Sequence, residues 1–130
     1  MSSGLLRGYE ETIKECRADQ VNRVLLLTDG MANAGIVDPD TLAGKAEAML
    51  RKGVSLSTVG VGLHFNEDLL IGLAEAGKGS YYYVREPDEI PGVFATELQG
   101  LLSVVAQGIS LEVRGLSGCR ATAVLGYEPA

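Results

Sequence analysis

From the first residues the apolar positions recur every three or four. Leu5, Leu6, Tyr9, Ile13 and Cys16 fall on one stripe, with Glu10, Glu11, Lys14 and Arg17 on the wet side, the pattern of an amphipathic helix of about four turns. The period then vanishes. Arg23-Val-Leu-Leu-Leu27 is a continuous apolar run, which is how a parallel strand covered on both faces reads. It stops at Thr28-Asp29-Gly30. Asp38 followed by Pro39 is an N-cap with proline at the first helical position, and Leu42, Ala43, Ala46, Met49 and Leu50 form the next apolar stripe, closed by Gly53.

Val54 to Val61 is rich in β-branched residues and predicts a second strand. Asn66 caps a short helix carrying Leu69, Leu70, Leu73 and Ala74, which Gly77 ends. Ser80 to Val84 predicts a third strand. A long helix is expected from about Asp88 to Gln107, with Ile90, Phe94, Leu98, Leu101 and Val105 as its buried stripe. Strands alternating with helices predict an α/β chain with a doubly wound, Rossmann-like, mostly parallel sheet and helices on both faces. From Ile109 the period changes to two: 110–114 and 120–124 alternate around a Gly-rich turn at 115–118. The chain therefore divides into an α/β unit over 1–108 and, over 109–130, a short β hairpin or the start of a following β domain.

Composition narrows the function classes. The chain has 130 residues, one domain's worth, and its formal net charge is −6 with eleven scattered Lys and Arg. No basic stripe exists to displace counterions from phosphates, so nucleic acid is excluded as a partner. No apolar run reaches the roughly 18 residues needed to span a bilayer as a helix. Cys16 and Cys119 lack the spacing of a zinc site or a redox dithiol; a disulfide between them stays open. Nothing in the sequence assigns a compartment.

Three blocks carry a family resemblance. Arg23-Val-Leu-Leu-Leu-Thr-Asp-Gly-Met-Ala-Asn-Ala-Gly35 resembles the fourth strand and following loop of von Willebrand factor type A domains. Ser57-Thr-Val-Gly-Val-Gly-Leu-His-Phe-Asn-Glu-Asp-Leu-Leu70 and Gly77-Lys-Gly-Ser-Tyr-Tyr-Tyr83 continue the match in order, over roughly residues 4–113. The bacterial subgroup similar to inter-alpha-trypsin-inhibitor heavy chains and calcium-activated channel regulators fits best. In that family a metal-ion-dependent adhesion site holds a divalent cation, usually Mg2+ and otherwise Mn2+ or Ca2+, between three loops. The partner protein completes the octahedral shell with a carboxylate.

The resemblance implies a protein-interaction or adhesion module, not an enzyme, with Asp29 as outer metal ligand or acceptor for a metal-bound water and Thr28 orienting that shell. Asp-x-Ser-x-Ser occurs nowhere in the chain, and the chain begins where the family's threonine loop would have ended. A domain truncated at its N-terminus is therefore expected, with an incomplete metal site and metal dependence residing in the intact parent. The alternative is a metal-independent structural or assembly module with a degenerate site. Read without the resemblance, Asp29 before Gly30 is a turn aspartate bonding its own backbone, and Thr28 a β-branched strand end.

Other candidates fare worse. Gly60-Val-Gly62 lacks the third glycine of a dinucleotide loop. A haloacid-dehalogenase-type phosphatase needs a second aspartate two residues from the first, where this chain has Leu27 and Met31. His64, the single histidine, has no partner at triad-like spacing and is expected to be exposed. Asp38 and Asp40 flank Pro39 as helix-start residues. Tyr81, Tyr82 and Tyr83 are expected to serve strand packing, since alternation sends them to opposite faces. Finally, a strand as apolar as 24–27 is made for neighbours on both sides. With one side unpaired, the chain is expected either to form a homo-oligomer through that edge or to require the missing segment in trans.

Overall fold

A computed structural model describes residues 1–30, 35–106, 109, 112 and 115–118. The elements are α1 (Ser2–Lys14), β1 (Asn22–Thr28), α2 (Pro39–Leu50), β2 (Val54–Val61), α3 (Glu67–Ala76), β3 (Lys78–Val84), a 3-10 turn (Pro87–Glu89) and α4 (Ile90–Leu102). The expected α/β alternation holds throughout. Most of the hairpin expected over 110–124 falls outside the described residues.

The sheet is parallel, in the order β1-β2-β3. β1 and β2 run in unbroken register from Asn22↔Val54 to Thr28↔Gly60. β2 and β3 pair from Leu56↔Lys78 to Val61↔Val84 with an irregularity after Leu56. There β3 fits one more residue than β2, Lys78 takes a positive φ of 51°, and a side chain at Gly79 would collide with the Leu56 carbonyl and the Ser57 hydroxyl. Glycine is what lets the bulge close against the central strand.

Alternation along the strands sends Val24, Leu26, Val54 and Leu56 to one face. There they form a single core with Leu5 of α1, Leu42, Ala46 and Met49 of α2, and Leu69 and Leu73 of α3. The caps are those the sequence predicts: the Asp38 carboxylate accepts from the Thr41 amide at 2.8 Å and the Asn66 side chain from the Leu69 amide at 3.0 Å. Helices lie on both faces, three on one and one on the other.

Three expectations need correction. α1 ends at Lys14, so Cys16 lies in the following turn, still packed against the core, and Ile13 is exposed. α4 ends at Leu102, five residues short of the expected end. Its orientation also differs, because Phe94, Leu98, Leu102 and Val105 are exposed and the side chain it buries is Glu97. The inward spacing is Ile90, Val93, Glu97 and Leu101, half-buried or better. The helix has turned to bring a carboxylate to a cation on the sheet.

Leu56 is fully buried in the central strand, so Leu56→Ala is expected to cost about 2–5 kcal/mol in denaturant unfolding. Asp38→Ala, which removes only a cap, is expected to cost about 1 kcal/mol in the same assay.

Candidate functional site

Thr28-Asp29-Gly30 sits at the C-terminal end of β1, the end of an open α/β sheet where ligands bind. The Thr28 hydroxyl donates to the Gly30 carbonyl at 3.1 Å, and the Gly30 amide donates back to it at 3.4 Å. The turn thus holds itself closed and leaves Asp29 exposed. Thr28 and Asp29 are consequently together at the sheet's end, but Thr28 spends its hydroxyl on the turn. Residues 31–34 of the next loop lie outside the described residues.

Two neighbouring oxygens do not satisfy a cation that demands an octahedron of them. Among the described residues no cluster of three His, Cys, Asp or Glu could hold a metal ion. Asp38 is occupied as a cap, and its carboxyl is held below the usual carboxylate range by the Thr41 hydroxyl and then the Thr41 amide. By donor count, Thr28 and Asp29 do not by themselves form a magnesium site. His64 is exposed in the loop after β2. The Cys16 thiol is free and lies 3.8 Å from the Lys52 carbonyl oxygen.

A polar network on the single-helix face escaped the sequence reading. Glu97 of α4 accepts at Oε1 from Arg23 Nη1 at 2.7 Å and from the Ser57 hydroxyl at 2.6 Å, and at Oε2 from the Tyr82 hydroxyl at 2.6 Å. Arg23 Nε donates to the Ser55 hydroxyl at 2.9 Å, and the Ser80 amide at the bulge donates to Ser57 at 3.1 Å. All three strands are thereby tied to α4. Every buried side-chain polar atom among the described residues has a partner.

Burial alone would raise the Glu97 pKa, but hydrogen bonds from Ser57, Tyr82 and Arg23 outweigh it and hold the carboxyl below its ordinary value. The Tyr82 hydroxyl is pushed up by burial and by its bond to Glu97. Tyr81, which donates to Glu67 on the opposite face at 3.1 Å, is pushed up to about 12, by burial first and then by that bond. Tyr83 packs against Phe65. The tyrosines therefore divide between faces as alternation requires, with each polar tip of the first two engaged by an acid.

No protein-family model matches the chain. It is 33% identical over 112 residues to the Escherichia coli protein YfbK, covering 85% of this chain and 20% of that protein. It is 30% identical over 104 residues to the Synechocystis protein sll0103, covering 80% and 24%. The chain thus spans about a fifth to a quarter of the length of these curated relatives, both uncharacterized. Among solved structures, BatB from Bacteroides thetaiotaomicron superposes with a TM-score of 0.58 at 17% identity, covering 74% of this chain and 58% of that one. The proximal thread matrix protein 1 of the mussel byssus, in a form with a zinc-occupied MIDAS motif, superposes with a TM-score of 0.51 at 24% identity, covering 70% and 22%. The fold is that of a von Willebrand factor type A-like domain.

Because the folded-state pKa of Glu97 lies below its unfolded value, the stability from this network is complete above the ordinary carboxylate range. It is lost as pH falls through that range toward the lowered value. Glu97→Gln is expected to cost on the order of 3 kcal/mol at neutral pH by leaving the half-buried Arg23 without its opposite charge. A stability–pH profile of that variant is expected to be flatter than the parent's across and below the ordinary carboxylate range.

Proposed function

We propose that this chain is a protein-binding module, not an enzyme, whose recognition end is the Thr28-Asp29-Gly30 turn. The observation that carries this reading is an exposed aspartate at the C-terminal end of a parallel strand in a von Willebrand factor type A-like fold. It is supported by the likeness to a mussel byssus protein whose MIDAS motif holds zinc. In the intact parent, Asp29 serves a divalent cation, Mg2+ or alternatively Mn2+ or Ca2+, and Thr28 fixes the turn that presents it. The protein ligand donates a carboxylate to that cation.

The small donor set favours a second reading, in which the fold binds partners without metal. Its contact surface is then the edge of β1, beside which no strand lies among the described residues and where a further strand adds to the sheet.

Calorimetric titration of the chain with Mg2+ and Mn2+, beside Asp29→Ala, separates the two. The metal-dependent reading expects weak, saturable binding that the substitution abolishes. Binding that is absent, or indifferent to Asp29, supports the metal-independent module.

A further inference from the structure

An aspartate side chain can be attacked at its carboxyl carbon by the amide nitrogen of the next residue, and the structure sorts the chain's six aspartates by how open that attack is. After Asp38 it is barred, because Pro39 has no N–H. After Asp19, Asp40, Asp68 and Asp88 the amide is already engaged. Gln20 donates to the Arg17 carbonyl at 3.3 Å, Thr41 to the Asp38 carboxylate at 2.8 Å, Leu69 to the Asn66 side chain at 3.0 Å and Glu89 to the Glu86 carbonyl at 3.0 Å. Each of these four residues also carries a side chain that crowds its nitrogen.

Asp29 differs in every respect. It is exposed and lies beyond the last residue of β1 in the strand ladder. Its carboxylate has no hydrogen bond or ion pair among the described residues. The amide that follows belongs to Gly30, whose one partner among the described residues is the Thr28 hydroxyl at 3.4 Å, a long contact to a group that rotates. Nor does the fold demand glycine there. Gly30 does not take a positive φ, and a Cβ on it would meet nothing within 4 Å among the described residues.

We propose that the Asp29–Gly30 bond is a site of spontaneous isomerisation, at which the chain is modified before any other aspartate. The Gly30 nitrogen attacks the Asp29 side-chain carboxyl carbon. The N–C bond forms, a C–O bond breaks, and the oxygen leaves as water with one proton from the amide and one from solvent. The five-membered succinimide then takes water back. Opening at the side-chain carbonyl restores aspartate, whereas opening at the main-chain carbonyl gives isoaspartate, with the backbone running through the former side chain. Water is the only reagent, and the mass of the chain is unchanged.

The consequence for binding rests on reading Thr28-Asp29-Gly30 as the recognition turn. Isomerisation inserts one carbon into the backbone and leaves the free carboxylate directly on Cα. Both the closure of the turn between Thr28 and Gly30 and the oxygens offered to a cation or partner are thereby displaced.

The test is prolonged incubation of the full chain in EDTA at neutral pH and physiological temperature, followed in two ways. A methyltransferase specific for isoaspartyl carboxylates is expected to add at most one methyl group per chain. An endoprotease that cuts before aspartate is expected to lose its cut at Asp29 and keep those at Asp19, Asp68 and Asp88. Asp29→Glu, which would need a six-membered ring, is expected to lose methyl acceptance. Gly30→Ala, which crowds the nitrogen where the structure has room, is expected to slow it several-fold, with circular dichroism showing that both variants fold as the parent does.

Isoaspartate spread over several aspartates would overturn the proposal, as would an unmodified Asp29 over a period in which the free peptide of residues 25–32 converts. Isomerisation in a chain whose Asp29 is indifferent to Mg2+ would leave this inference standing and remove only the metal-dependent recognition turn. A chain that binds Mg2+ through Asp29 yet never isomerises in EDTA would do the reverse.

Discussion

Everything in this chain depends on one face of a three-stranded parallel sheet being buried. Parallel strands cannot be joined by tight turns, so each crossover must carry a helix across the sheet, and here α2 and α3 land on the same face as α1. Val24, Leu26, Val54 and Leu56 supply the strand side of that core, and Leu5, Leu42, Ala46, Leu69 and Leu73 the helix side. The result is a dense core on one side and a single helix on the other. What α4 lacks in apolar contact with the sheet it replaces with a carboxylate that ties down all three strands.

That substitution has consequences for the surface. Turning Glu97 inward turns Phe94, Leu98 and Leu102 outward, on the side of the sheet where Leu27 is also exposed. Large exposed apolar patches are where contacts with other molecules tend to form. The Thr28-Asp29-Gly30 turn lies at the end of β1.

The likeness to type A domains concerns the fold, and function is argued from sites, since one fold hosts many of them. Asp29 is exposed at the end of β1. The donor count around it is small, and the matched segment is only 20% and 24% of the length of these relatives, whose whole activity belongs to more residues than these. Glu97, by contrast, is complete as it stands: each oxygen is used, and its role is to position a helix.

Local chemistry was legible in the sequence wherever it is decided locally. Asp38-Pro39 and Asn66 start helices because their side chains bond amides three residues on, and Val54–Val61 is a strand at the limits its composition predicts. The Thr28-Asp29-Gly30 turn at the end of β1 was equally readable. The orientation of α4 was not. A periodicity argument ranks residues by hydrophobicity and so assigned the buried stripe to Ile90, Phe94, Leu98, Leu101 and Val105, of which only Ile90 and Leu101 are half-buried, whereas the buried position belongs to Glu97. Only the tertiary structure brings Arg23, Ser57 and Tyr82, each from a different strand and up to 74 residues away in sequence, within reach of one carboxylate. The desolvation of a charge is compensated by partners, and sequence spacing carries no information about partners contributed by other strands.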